Sequence, residues 1–318
     1  MKKVVKANLY FLIILLLETF GSNVLRALSN IFKITDIRIQ LFLSHFLVFI
    51  IPAIIYILIS KKSAKEILKL NKINFVDILL LIVLSFACQP IVTFCSLISQ
   101  LFFNNNIGEV VTSIIDTPYI VFLLLFAVMP AITEEITMRG IVLSGYEEKN
   151  VYISSIVIGL FFGMMHLDGQ QFLYAAVLGF ILALVVRITN SIYASMIMHF
   201  FINGTQVTLQ KLVYKLPASN AAIEEAANIS FMDMPTITKV FSICFYGILA
   251  VGFSIAVFFI IKKLIDLNVR RGTITKEEMK FSLRNRDNKI IDGEKDRIIN
   301  IPFILSVAVY FIVMIFLT

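Results

Sequence analysis

No charged side chain occurs between Ile78 and Gly108. A hydrocarbon core is crossed by ~20 apolar residues of α-helix, and an uncharged run of this length has few other uses. The pattern recurs along the 318 residues. Apolar segments are read at about 7 to 27, 41 to 60, 77 to 102, 119 to 145, 151 to 167, 171 to 188, 191 to 212, 238 to 262 and 299 to 317. Charged residues are 15% of the chain and the mean hydropathy is +0.91, whereas soluble domains carry about 25% charge. The expected fold is therefore all-α: a polytopic helical membrane protein with eight or nine transmembrane helices.

The net charge of +7 reads as topology and not as a nucleic-acid footprint, because it is confined to particular connections. Lys2, Lys3 and Lys6 precede the first segment; Lys61, Lys62, Lys65, Lys69 and Lys72 follow the second; eleven Lys and Arg residues lie between Lys262 and Arg297. The connections after the third and seventh segments are poor in basic residues or mixed, with Glu109, Asp116, Glu224, Glu225 and Asp233. Nine helices with a cytoplasmic N-terminus put every strongly basic loop on one side, as the positive-inside rule requires. The start, MKKVVKANLYFLIILLL, has the look of a secretory signal but continues through Glu18 and Asn23 with no small-residue cleavage site, so it is read as a retained helix. Cys88, Cys95 and Cys244 all fall in apolar segments and are expected to be buried thiols. The basic stretch 264–298 is too short and too polar for a domain of its own; the segment 215–238 is expected to form a surface helix or a gate.

Within this apolar chain, the polar positions are informative. Glu134, Glu135 and Arg139 stand in one apolar segment. Residues 135 and 139 are four apart and share a helix face, while Glu134 points about 100° away. One arginine neutralises one carboxylate, and an intramembrane carboxylate left over is a functional candidate. Pro130 removes a backbone donor four residues before Glu134, which predicts a kink or local unwinding there. His166 ends the fifth segment, where Gly159 and Gly163 form a small-residue step for a close helix neighbour. His199 and Asn203 stack on one face of the seventh, with Ser195 a turn earlier. The third histidine, His45, has no acidic or amide neighbour at helical spacing and is read as structural; Asp168, beside Gly169, is read as a turn residue.

A carboxylate, two imidazoles and an amide in a low-dielectric cavity have the parts for hydrolysis by activated water: a general base and donors for an oxyanion. The same imidazoles are able to hold zinc, although no H-E-x-x-H lies on one helix. The serine of a rhomboid-like dyad and the paired aspartates of presenilin-like proteases are both missing.

EEITMR (Glu134 to Arg139), FGMMH (Phe162 to His166) and HFFIN (His199 to Asn203) resemble, in order, the EExxxR, FxxxH and HxxxN signatures of the CPBP family. These are the CAAX proteases and bacteriocin-processing enzymes, also called the Abi or type II CAAX prenyl endopeptidase family. The resemblance covers roughly residues 119 to 212 and implies an intramembrane endopeptidase acting on membrane-associated or lipidated peptides. It makes Glu134 the water-activating base with His166 beside it, His199 and Asn203 the oxyanion or metal side, and Glu135 and Arg139 supporting residues. It implies either a divalent metal, zinc, held by His166 and His199, or a metal-free glutamate mechanism. The domain organisation expected is N-terminal transmembrane helices over 1–118, a four-helix catalytic core over 119–212, and C-terminal transmembrane helices over 213–318.

The abundance of Ile, Lys, Asn and Phe resembles proteins of low-GC Gram-positive bacteria. A bacterial plasma membrane and a role in bacteriocin or pheromone maturation or self-immunity are then expected, without a prenylated substrate and without nucleic acid. Two readings compete: a non-catalytic membrane scaffold or regulator on the same fold, and a proton-coupled transporter. The first predicts a lost motif residue and the second inverted repeats; the sequence has neither feature.

Overall fold

The computed structural model describes residues 2–215, 231–281 and 296–316. Residues 216–230 of the expected gate or surface helix in 215–238, and residues 282–295 of the basic stretch 264–298, lie outside the described residues. Among those described, the chain is helical throughout, without strands. Nine apolar helices succeed one another: α1 (Lys3–Phe32), α2 (Ile37–Ser60), α3 (Phe75–Ser99), α4 (Tyr119–Val142), α5 (Val151–Met165), α6 (Gly169–Thr189), α7 (Ile192–Tyr214), α8 (Thr236–Arg270) and α9 (Ile301–Phe316). Six of them, α1 to α4, α6 and α8, are long and apolar enough to cross a bilayer. Each apolar segment read from the sequence falls on one of the nine.

The helices alternate in direction, which gathers the connections at two ends. At one end Lys3 pairs with Glu148, Lys69 with Glu147, and Arg271 with Asp77, while Lys149 donates to the Asp296 carbonyl. The basic N-terminus, the loop after α2 and the loop after α8 thus come together. At the other end Tyr214 bonds Asp116, Tyr119 bonds Thr208, and Lys211 donates to the carbonyls of Ile115 and Thr117.

Burial follows the bilayer as solvent. In α8 only Ala250, Val257, Leu264 and Asn268 are buried, and Phe241, Ile248 and Val251 are largely exposed. Such an apolar face suits lipid, which is as apolar as the side chains themselves. Cys88 and Cys95 are buried as expected, but Cys244 is exposed on α8, whose thin contact with the bundle leaves that position on its outer surface.

The tightest packing is between α5 and α6. A Cβ at Gly159 would stand 2.6 Å from the Ala176 carbonyl oxygen and 2.7 Å from the Phe180 nitrogen. At Gly163 it would stand 2.7 Å from the Phe172 oxygen. The absence of side chains lets the two backbones touch, as the Gly-xxx-Gly step predicts.

Candidate active site

The helix α4 is irregular where its charges sit. Two π-helical stretches, Leu124–Val128 and Ile136–Val142, flank a short α-helical piece, Met129–Glu135. Pro130 explains part of this. It has no N–H to donate to the carbonyl four residues earlier, Phe126, and that oxygen accepts instead from Asn203 Nδ2 on α7 at 3.1 Å. Asn203 therefore repairs a helix defect and ties α7 to α4, leaving its second N–H and its carbonyl for other use. Wide helical turns of this kind recur at functional sites.

The Glu135–Arg139 pair forms as the spacing predicts. Arg139 Nη1 lies 2.9 Å from Glu135 Oε1 and both side chains are fully buried. Arg139 Nη2 donates to the Gly179 carbonyl on α6 at 3.2 Å, and its guanidinium lies 4.2 Å from the centre of the Phe162 ring. The arginine thereby engages Glu135, a backbone oxygen and an aromatic face, while its Nε has no hydrogen-bond partner among the described residues. His199 Nδ1 also reaches Glu135 Oε1, at 2.8 Å. A carboxylate only accepts, so Nδ1 carries the proton and Nε2 turns the other way. It faces Glu134 Oε2 across 3.9 Å. That oxygen has no hydrogen-bond partner in the protein.

Phe162 organises the opposite wall. Its ring meets His166 edge-on at 4.9 Å and His199 at 5.9 Å. His166 Nδ1 donates to the Phe162 carbonyl at 2.8 Å, which again leaves Nε2 bare. The FxxxH spacing thus places ring and imidazole on one helix face, and α5 carries both to α7. The polar stripe on α7 ends at Ser195, which donates back to the Ile192 carbonyl. Asp168 caps α6, accepting from the Gln170 and Gln171 amides, and stays outside the cluster.

Two residues enter that the sequence reading passed over. His45, read as structural, sits at the junction where α2 opens into the π-helical stretch Phe46–Ile50. Its Nδ1 is 2.8 Å from the hydroxyl of Thr133, the residue before Glu134, and its ring lies within electrostatic reach of Glu134, His166 and His199. Glu18 on α1 is also within electrostatic reach of Glu134. Neither has an ionisable or amide neighbour three or four residues away on its own helix, so helical spacing carried no signal; a lone carboxylate deep in an apolar segment was the available clue for Glu18.

The cluster bears on the zinc expectation. In both His166 and His199 Nδ1 is engaged and Nε2 bare, the outer-shell pattern of a ligating histidine. A catalytic zinc takes three protein ligands and a water. Among the described residues no three His, Cys, Asp or Glu side chains gather as a metal-holding group. The side chains as placed lack the third ligand, and no step below runs through a metal.

Residues 116–205, the stretch that carries these three motifs, match the model of the type II CAAX prenyl endopeptidase Rce1-like family. No curated protein and no solved structure matches the chain significantly. The matched segment is under a third of the chain and holds Glu134, Glu135, Arg139, His166, His199 and Asn203, with His45 and Glu18 outside it. On that segment the chain carries an Rce1-like domain of the CAAX protease family, a family of membrane endopeptidases.

Proposed function

We propose that this protein is an intramembrane endopeptidase that hydrolyses membrane-associated peptides with water activated by Glu134. The observation that carries the reading is the division of labour between adjacent carboxylates. Glu135 is neutralised by Arg139 and bonded to His199, whereas Glu134 Oε2 is buried, unpartnered and 3.9 Å from His199 Nε2. That gap is too long for a direct hydrogen bond and suits a bridging oxygen at about 2.8 Å from each group.

In the reaction, the nucleophilic water donates one proton to Glu134 Oε2 and directs the other toward the bare Nε2 of His166. As its oxygen bonds to the scissile carbonyl carbon, Glu134 takes the first proton. The carbonyl oxygen becomes an oxyanion and accepts from His199 Nε2–H and from the N–H of Asn203 not used by Phe126. This employs His199 with a proton on both nitrogens, so that the charges of Glu134, Glu135, Arg139 and His199 cancel in a medium hostile to net charge. Collapse breaks the carbon–nitrogen bond, and Glu134 returns its proton to the departing amine. An oxyanion donor of this kind is worth ~10²–10³ in kcat.

On the positive-inside rule we read the basic end of the bundle, with the N-terminus, as cytoplasmic. A bacterial plasma membrane and a role in peptide maturation or self-immunity fit the composition. The test is direct. Wild type and Glu134→Gln, purified in detergent, are incubated with amphipathic and lipidated peptides, with and without a zinc chelator, and cleavage is read by mass spectrometry. Cleavage by the wild type alone, in both conditions, is expected. Loss of activity in chelator overturns the metal-free mechanism, and no cleavage by folded wild type supports a scaffold.

A further inference from the structure

The basic end of the bundle holds a polar cavity of about 350 Å³, a volume in the range of small-ligand sites. Its walls are the connection from α2 to α3, the first turn of α3, the turn between α6 and α7, and the end of α8. Ile73 is its one apolar lining residue, and no residue of the candidate active site lines it.

Three charged groups line the cavity, and two of them cancel. Arg271 Nη1 lies 2.7 Å from both oxygens of Asp77, whose side chain is 3% exposed, and Asn268 Nδ2 donates to Asp77 Oδ2 at 3.2 Å. With the carboxylate matched, what remains is donors. Arg271 gives one further N–H to Asn74 Oδ1 at 3.2 Å, which leaves two of its five uncommitted. Among the described residues Lys72 has no ion pair, and the Asn190 amide and Thr273 hydroxyl make no hydrogen bond. Lys72 and Arg271 against Asp77 leave the lining with a net charge of +1. The walls are also tied to one another: Asn71 Nδ2 donates to the Asn190 carbonyl at 2.7 Å, and Ser191 Oγ to the Asn71 carbonyl at 2.7 Å. A cavity held in shape before it is filled loses little to ordering on binding.

Its level in the membrane favours one kind of anion. The cavity lies where α3 begins and where α6 and α8 end. The 25 residues of α3 rise about 37 Å, more than the ~30 Å of the hydrocarbon core, so its first turn reaches the depth of lipid phosphates. Basic pockets between transmembrane helices on the cytoplasmic side take anionic headgroups. We propose that this cavity binds the phosphate headgroup of an anionic glycerophospholipid. Lys72 and the uncommitted N–H groups of Arg271 take the phosphate oxygens, and Asn190 and Thr273 the headgroup hydroxyls. The inference is independent of the endopeptidase reading, since it uses none of the same residues.

The test is native mass spectrometry of the full-length protein in detergent, titrated with dioleoylphosphatidylglycerol or dioleoylphosphatidylcholine. The wild type, Lys72→Gln, Asn190→Asp and the control Lys65→Gln are compared, and a slow thiol reaction at buried Cys88 verifies the fold of each. Lys72 is exposed, and Asn190 sits at φ 51°, where Asp is tolerated, so both substitutions suit the backbone. The wild type is expected to retain one phosphatidylglycerol in preference to phosphatidylcholine. Lys72→Gln should weaken that retention about fivefold, the worth of one basic residue at the membrane surface. Asn190→Asp, which cancels the remaining positive charge, should weaken it at least as much, and Lys65→Gln should bind as the wild type does. Equal retention of the two lipids, or none of either, overturns the site. A loss in Lys65→Gln as large as in Lys72→Gln reduces the effect to general attraction by a basic surface and overturns it too. If inorganic phosphate at the lipid's concentration and constant ionic strength abolishes the retention, the cavity is a site for a soluble anion and the lipid assignment fails.

Discussion

Arg139 is fully buried and engages Glu135, the Gly179 carbonyl and the Phe162 face, and replacing it with Met tests the electrostatic logic of the site. The substitution keeps most of the side-chain length, removes the charge partner of fully buried Glu135 Oε1, which keeps only its hydrogen bond from His199 Nδ1, and leaves the Gly179 carbonyl and the Phe162 face without theirs. Removing one member of a buried pair costs about 3–5 kcal/mol, because the other is left charged in a medium that does not solvate it. At 1.4 kcal/mol per decade, the opened population should rise by roughly two to three and a half powers of ten. Glu135→Met strands Arg139 and should cost a similar amount. The double variant loses both charges together and leaves a lone donor on His199 and an acceptor on Gly179, so it should be more stable than either single variant. The coupling between the sites should approach about 3 kcal/mol. The chain has no tryptophan, so fluorescence is a poor probe, but Cys88 is fully buried and reports opening through its reaction with a thiol dye. Exposed Cys244 is first replaced by Ser. Labelling rates of Cys88 that differ little between Arg139→Met and wild type, or a double variant as unstable as the sum of the singles, would refute the reasoning.

Two further predictions use the same preparation. Gly159→Val should separate α5 from α6, since even a Cβ would meet the Ala176 oxygen at 2.6 Å. Overpacking of this kind costs about 1–3 kcal/mol, read as faster Cys88 labelling, whereas Gly252→Val, with open space around it, should label as wild type. Asp36 caps α2 by accepting from the Arg38 amide at 2.9 Å, and the Arg38 side chain holds its carboxyl down to about 2. The sign follows from linkage: the stabilisation is complete above the ordinary carboxylate range and lost as pH falls toward about 2. Amide exchange over the first turn of α2 should therefore stay slow at about pH 3 in the wild type. Equal protection in Asp36→Ala would refute the cap.

The sequence alone determined the membrane fold, because the length and apolarity of its segments leave the backbone no other way to satisfy its hydrogen bonds than helices. It also determined the Glu135–Arg139 pair and the Gly159 and Gly163 approach, since those depend on spacing within one helix. Only the tertiary structure decided which partners arrive from other helices. Nothing local links Asn203 to the carbonyl that Pro130 frees, or Glu135 to His199 across 64 positions of sequence. His45 fell outside the sequence reading for the same reason: no ionisable or amide residue stands at helical spacing from it, and it meets Thr133, beside Glu134, only when α2 packs against α4. Cys244 shows the converse, an apolar setting in sequence that the packing leaves on the outer surface. Helical periodicity records the face a residue occupies, and contact between helices follows from how the whole bundle shares its interior.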